Sequence, residues 1–266
     1  MKKRVISAII LIAIFMPLLI IGGFSFTIFM SILALMGLYE LLKVHEVQKE
    51  FPLILKIIAY LLTFYLCTYH SGTIEFYSKL DYRFIAFIIF IFLTPMVFQK
   101  DLKAYNLNDG LFLIGSILFI GFTFNLIINT RNYDISYLIY LLLITTITDT
   151  FALLTGSLIG EHKLCPKISP KKTIEGLIGG LSMGTFVATV FYMTVIHSTT
   201  SIVLVTFLTL ALCLVGQLGD LVFSSIKRYY DVKDFSNLIP GHGGILDRFD
   251  SLLFVTLAFT FLIEIL

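Results

Sequence analysis

Leu210–Asp250 reads LALCLVGQLGDLVFSSIKRYYDVKDFSNLIPGHGGILDRFD. The stretch starts as an apolar helix pattern with one acid, Asp220, set inside it. From Ser224 onward it holds four cations, four aspartates, one His and three Gly. An apolar helix that carries an acid and ends in so polar a loop belongs at a membrane surface. Phosphate chemistry uses this inventory: cations for phosphate oxygens, carboxylates for a divalent metal, and glycine where backbone must approach a ligand closely.

The rest of the chain extends that reading. It has 266 residues, 58% hydrophobic and only 14% charged, where a soluble domain carries about 25% charged residues. Apolar runs near 5–22, 24–44, 53–70, 84–98, 110–129, 136–160, 174–196, 201–226 and 248–266 suit the ~20 residues that cross a bilayer core. The expected fold is all-α and polytopic, with about nine transmembrane helices. The opening MKKR and its apolar run lack a small-residue cleavage site, so they read as a first span that stays. Cys67, Cys165 and Cys213 are isolated and read as small apolar side chains.

Cations set the orientation. With the N-terminus inside, 16 of the 19 Lys and Arg fall on the inner side. Lys79, Arg83 and Arg131 fall outside. The N-terminus and the polar loops are therefore expected in the cytoplasm, in a multi-pass cell-membrane protein. Residues 1–266 are expected to form one membrane domain. Its half 1–135 is a lipid-facing scaffold, and its half 136–266 carries the chemistry. Net charge is only +2 and identifies no partner; no nucleic-acid partner is expected.

Two acids lie inside spans. Asp149 sits in LLLITTITDTFALLTG and Asp220 in LALCLVGQLGDLVFSS. A charge at mid-membrane costs about 2.5–3.5 kcal/mol on insertion scales, so it needs a partner, a water-filled cavity or a metal. At 100° per residue, Asp220, Ser224, Lys227 and Arg228 share one helix face. A plain Asp–Lys pair joining two helices, or an ion relay, would also explain such acids.

Two loops complete the candidate site. Pro240-Gly241-His242-Gly243-Gly244 can turn sharply and present backbone amides to an anion. Asp247, Asp250 and Ser251 then share a face of the last helix. Residues 160–176, GEHKLCPKISPKKTIEG, supply Lys163, Lys167, Lys171 and Lys172. Attraction to anionic lipid is one use for that patch. The order Ser169-Pro170-Lys171-Lys172-Thr173 with Glu175 behind it fits a shaped phosphate site. Glu40, in GLYELL, is a weaker case that fits an interfacial position beside Lys43. No GxxxxGK[ST] occurs, which excludes a P-loop.

The stretch 224–250 resembles the signature of the phosphatidate cytidylyltransferase (CDP-diacylglycerol synthase) family. The matching residues are Ser224, Lys227-Arg228, Lys233-Asp234, Pro240-Gly241-His242-Gly243-Gly244 and Asp247-Arg248-Phe249-Asp250. The SPKKTIEG run at 169–176 and the GQLGD run at 216–220 also look like family segments. Leu153 and Ser157 depart from the family's pattern, where an aromatic and a basic residue are expected.

The resemblance implies transfer of CMP from CTP to phosphatidate, giving CDP-diacylglycerol and pyrophosphate in phospholipid biosynthesis. It implies Mg²⁺, with a second metal ion left open. Asp220 and Asp247 are the first candidates for the metal, then Asp250 and Asp234. Ser224, Lys227, Arg228, Lys233, His242 and Arg248 are the catalytic candidates. Asp149, Lys167, Ser169, Lys171, Lys172, Glu175, Gly243 and Gly244 are the substrate-binding candidates. His242 would donate to a phosphate, act as acid or base, or serve the turn. The resemblance further implies a homodimer among membrane lipids, in a bacterial inner membrane. A transporter using Asp149 and Asp220 as relays, a CTP-dependent lipid kinase, and a structural scaffold are the competing readings. The kinase would release CDP in place of pyrophosphate.

Overall fold

The computed structural model describes residues 2–69 (side chains from residue 11), 82–98, 105–196, 199–239, 241 and 243–263. Nine α-helices lie among these residues. They are α1 (Lys2–Ile21), α2 (Gly23–Glu46), α3 (Leu53–Thr68), α4 (Tyr82–Leu93), α5 (Leu107–Tyr133), α6 (Ile135–Ile159), α7 (Ile174–Phe191), α8 (Ile202–Tyr229) and α9 (Leu246–Leu262). Five of the helical segments are long and apolar enough to cross a membrane, and shorter apolar helices accompany them. An all-α polytopic membrane protein is the result.

The chain divides into two compact units. The first comprises Met1–Asn129 with Phe235–Ile245, the second Thr130–Asp234 with Leu246–Leu266.

In the first unit, α1 gives way to α2 at Gly22 and Gly23, both at positive φ (66° and 56°). Phe15 on α1 packs against Phe26 and Phe29 on α2, with ring centroids 6.4 and 6.3 Å apart. A core joins Leu38 and Leu42 of α2, Leu55, Ala59, Leu62 and Leu66 of α3, Ile88 and Phe92 of α4, and Leu113 and Ile117 of α5. The α3 residues recur at helical spacing, so one stripe faces inward. Pro95 cannot continue the helical ladder, and Thr94–Phe98 tightens into a 3₁₀ turn. The buried Tyr105 hydroxyl then donates to the Phe92 carbonyl at 2.8 Å. At the start of α5, Asn106 and Asp109 exchange side-chain bonds to each other's backbone N–H (2.8 and 3.2 Å). Lys49 pairs with the same Asp109 carboxylate.

In the second unit, side chains cap three helices. Asp134 accepts from Ser136 N–H at 2.7 Å, Thr173 from Gly176 N–H at 3.1 Å and Ser201 from Leu204 N–H at 3.3 Å. Tyr140 on α6 and Thr209 on α8 share a buried 2.7 Å hydroxyl contact. α6 and α7 touch backbone to backbone at Gly176 and Gly180, and Gly184, next in the same one-in-four stripe, packs on the Thr148 side chain of α6; small residues at this spacing let membrane helices approach closely. A Cβ on Gly180 would stand 2.6 Å from the Thr148 carbonyl oxygen.

The basic segment 160–176, expected to be a loop, contains a β-hairpin. Strand β1 (Lys163–Cys165) pairs antiparallel with β2 (Ser169–Thr173). Pro166 occupies the turn, where its missing N–H breaks no ladder. All three cysteines are free thiols, Cys67 and Cys213 buried.

The glycine stripe makes a testable prediction. Gly180→Val is expected to lower stability by about 1–3 kcal/mol through overpacking, whereas the exposed Ser182→Ala should stay within about 0.5 kcal/mol. Thermal unfolding in detergent, followed by a thiol-reactive dye that reports the buried Cys67 and Cys213 as they become exposed, measures both.

Candidate active site

Four elements of the second unit are tied together by a continuous run of polar contacts. Asp149 on α6 accepts a hydrogen bond from Gln217 Nε2 on α8 at 2.6 Å and from Ser251 Oγ on α9 at 3.4 Å. Gln217 Oε1 accepts from Lys172 Nζ on β2 at 3.1 Å. The same ammonium pairs with Asp220 Oδ2 at 2.6 Å. Asp220 Oδ1 accepts from Ser224 at 3.3 Å. Gln217, Asp220, Ser224 and Lys227 recur every three or four residues on α8, so helical geometry lays them in one stripe.

Farther along that stripe, Lys227 pairs with Asp247 of α9 at 2.6 Å, with only 11% and 5% of the two side chains exposed. The Lys172–Asp220 pair is more open, at 21% and 26%. Asp250 is half-buried and accepts from Ser251 N–H at 2.7 Å.

The hairpin explains why the two adjacent lysines differ. Strand neighbours point to opposite sides, so Lys172 reaches α8 while Lys171 stays exposed. Ser169 is half-buried in β2, and Lys167 is exposed in the turn. Glu175 holds the hairpin's base: its carboxylate accepts the Glu161 and His162 N–H groups at 3.1 and 3.2 Å, and lies 2.6 Å from His162 Nδ1. Arg228 holds the hairpin's turn, donating from Nε to the Ile168 carbonyl at 3.3 Å and from Nη1 to the Val232 carbonyl at 2.9 Å.

α8 ends in a Schellman turn. Val232 N–H reaches the Lys227 carbonyl at 2.9 Å, Asp231 N–H reaches the Arg228 carbonyl at 3.1 Å, and Asp231 takes a positive φ of 55°, as this cap requires. Lys233, Asp234 and Arg248 are exposed. His242 lies outside the described residues.

The glycine turn belongs to the first unit. Gly241 and Gly243 have φ of 81° and 84°, and Ile239 N–H closes the turn on the Gly243 carbonyl at 2.9 Å. Gly244 is buried against Glu40 of α2, so closely that a Cβ would fall on the Glu40 carboxylate. Glu40 Oε1 accepts the Ser236 hydroxyl at 2.6 Å and the Ile245 N–H at 2.8 Å.

Among the described residues no three His, Cys, Asp or Glu groups gather as a ready metal cage. Mg²⁺ does not need one, since one or two carboxylates plus substrate phosphates and water hold it. The donor set fits that mode. Asp220 and Asp247 each offer a carboxylate whose present partner is a lysine ammonium.

Sequence reasoning left Gln217 without a role, although it lies one turn before Asp220 on the polar stripe. It also left Ser251 as a mere face-mate of Asp247, and Glu40 as an interfacial acid. Nothing local marks Glu40, because its partners lie about 200 residues away in sequence.

Ionised and polar side chains gathered among long apolar helices define an integral membrane protein with a polar site. The chain belongs to the cytidylyltransferase family, which it matches over residues 2–266, and this makes it a nucleotidyltransferase. It is 38% identical over 256 residues to a phosphatidate cytidylyltransferase of Staphylococcus haemolyticus (strain JCSC1435), covering 96% of each chain. It shows the same identity and coverage with the phosphatidate cytidylyltransferase of Staphylococcus aureus (strain COL). The Staphylococcus epidermidis (strain ATCC 12228 / FDA PCI 1200) protein of that name is 37% identical over 257 residues. These relatives are bacterial. Nucleotidyl transfer from CTP calls for a divalent cation to offset the phosphate charge.

Gly244→Ala is expected to cost about 1–3 kcal/mol by forcing a methyl group onto the Glu40 carboxylate. Gly115→Ala, where an added Cβ meets nothing within 4 Å, should cost no stability. Thermal unfolding of the two purified variants side by side checks the contrast.

Proposed function

We propose that the chain is a phosphatidate cytidylyltransferase of the bacterial inner membrane, with its N-terminus and active site on the cytoplasmic side. The observation that carries the reading is the run Ser251–Asp149–Gln217–Lys172–Asp220–Ser224, built among apolar helices, with Ser224 in the family signature and Lys172, Gln217 and Asp220 in the two further family-like segments. A scaffold has little use for it, because buried ion pairs are poor sources of stability.

A phosphatidate phosphate oxygen attacks the α-phosphorus of CTP. The new P–O bond forms as the bond to the bridging oxygen of the β-phosphate breaks, and pyrophosphate leaves in line. The nucleophile is already an anion, so the main task is to bring two polyanions together, by charge neutralisation and positioning. Lys172 and Lys227 are placed to exchange their carboxylate partners for phosphate oxygens. Asp220 and Asp247, with Asp250 and Asp234 behind them, are then left for the cation. Mg²⁺ bound there supplies charge neutralisation and orientation of the phosphates. Arg228, Lys233, Arg248, Lys167 and Lys171 add positive charge toward the cytoplasm, where CTP arrives. Gly243, Gly244 and His242 offer donors to phosphate oxygens; Ser169, Glu175, Ser224 and Asp149 shape the pocket. The lipid's tails enter sideways from the bilayer. The C-terminal half carries this chemistry, and the working form is a homodimer.

Purified protein with phosphatidate, labelled CTP and Mg²⁺ tests the reaction. Cytidine label should pass into the lipid phase with release of pyrophosphate. Removing divalent ions with a chelator should stop it, and Asp247→Asn should lower the rate by at least about 100-fold while the protein stays folded. Release of CDP with no label in the lipid would mean γ-phosphoryl transfer and overturn the reading.

A further inference from the structure

Glu40 is fully buried on α2, far in sequence from every residue given a chemical role. Burying a carboxylate is unfavourable unless hydrogen bonds compensate it. Here Oε1 alone gathers two donors, the Ser236 hydroxyl at 2.6 Å and the Ile245 N–H at 2.8 Å.

The two donors bracket the glycine turn, one on each side. Between them, the Ser236 hydroxyl oxygen also accepts Leu238 N–H at 3.2 Å, and Ile239 N–H closes on the Gly243 carbonyl at 2.9 Å. Phe235, Ile239 and Ile245 are buried as well, so apolar packing already anchors the segment to the first unit. An acid added to such an anchor contributes direction, because hydrogen bonds are specific in angle and distance where apolar contact is not.

From these contacts we infer that Glu40 is a positioning residue for the transfer reaction. It grips both sides of the glycine turn and sets the backbone of Gly243 and Gly244, whose donors the proposed reading offers to phosphate oxygens. Glu40 touches neither substrate nor metal; it acts through Ser236 and Ile245. The inference rests on the proposed reaction for its functional consequence, and on contacts within the first unit for the clamp itself.

The test uses the full-length protein in detergent or lipid discs and compares wild type with Glu40→Gln, Ser236→Ala and the double variant. In Glu40→Gln, kcat is expected to fall roughly 10- to 100-fold, the scale of an ångström-level misplacement. The KM for phosphatidate should hold steady. The double variant should lie close to Glu40→Gln, because the two side chains share one hydrogen bond, with any excess coming from the Leu238 N–H that Ser236 also accepts. Hydrogen exchange of the peptide containing Ile245 should be faster in Glu40→Gln than in wild type, a readout that does not depend on turnover.

A Glu40→Gln protein with unchanged exchange at Ile245 would remove the clamp. A variant with faster exchange but normal kcat per folded molecule would reduce Glu40 to a structural acid. If Glu40→Gln does not fold, Ser236→Ala carries the same kcat and exchange readouts with smaller shifts, and no shift in either overturns the inference. Wild-type protein that fails to label lipid refutes the reaction itself, and the exchange comparison then still decides the clamp.

Discussion

An acid on a membrane helix needs a positive or donating group beside it, and Asp220 sets the conditions for much of the second unit. Its insertion is unfavourable by about 2.5–3.5 kcal/mol on its own. Its ion-pair partner does not come from a neighbouring helix face. Lys172 arrives on a hairpin strand, reaching Asp220 at 2.6 Å and Gln217 at 3.1 Å. The hairpin must therefore stay folded over the end of α8 for the acid to be tolerated. Glu175 fastens the hairpin's base and Arg228 its turn, so two further charged groups maintain the position of the first pair.

The same logic explains why the small residues of α7 matter. α7 starts where β2 ends, at Thr173. Close contact between α6 and α7 at Gly180 fixes α7 against the helix that carries Asp149. Asp149 is in turn held by Gln217 and Ser251 from α8 and α9. Backbone proximity on one side of α6 and hydrogen bonding to its acid thus constrain the same helix from two directions. A site assembled this way has little slack, which suits chemistry dependent on placing phosphates rather than on making a strong nucleophile.

Much of this was legible in the sequence, for reasons that vary by residue. The apolar runs follow from composition alone, and among the described residues a helix falls in each, five of the helical segments being long and apolar enough to cross a membrane. The stripe through Asp220, Ser224 and Lys227 follows from a period of 3.6, and the Ser224–Asp220 contact agrees with it. The hairpin was less visible because its strands are short, polar and rich in lysine and proline, all weak strand signals. Its alternation is what separates Lys172 from Lys171, a distinction that adjacency in sequence conceals. The role of Glu40 was not legible at all. Its carboxylate meets Ser236 and Ile245 across a gap that no local period spans, and only the folded chain brings them together.

The lysine pairs also bear on how charge is balanced at such a site. Lys227–Asp247 and Lys172–Asp220 each combine one positive and one negative group, so the resting helices carry little net charge at these points. On the proposed reading, a nucleotide and its divalent cation bring both signs together. Each lysine can then turn to a phosphate and each aspartate to the cation without leaving an unbalanced charge among apolar helices. The more exposed pair, Lys172–Asp220, is less enclosed by protein and easier to part. The enclosed pair, Lys227–Asp247, is harder to open, because a buried charge that loses its partner is strongly destabilising until another arrives. On the proposed reading, that asymmetry implies an order in which ligand contact begins at Lys172 and Asp247 parts from Lys227 only once phosphate is at hand.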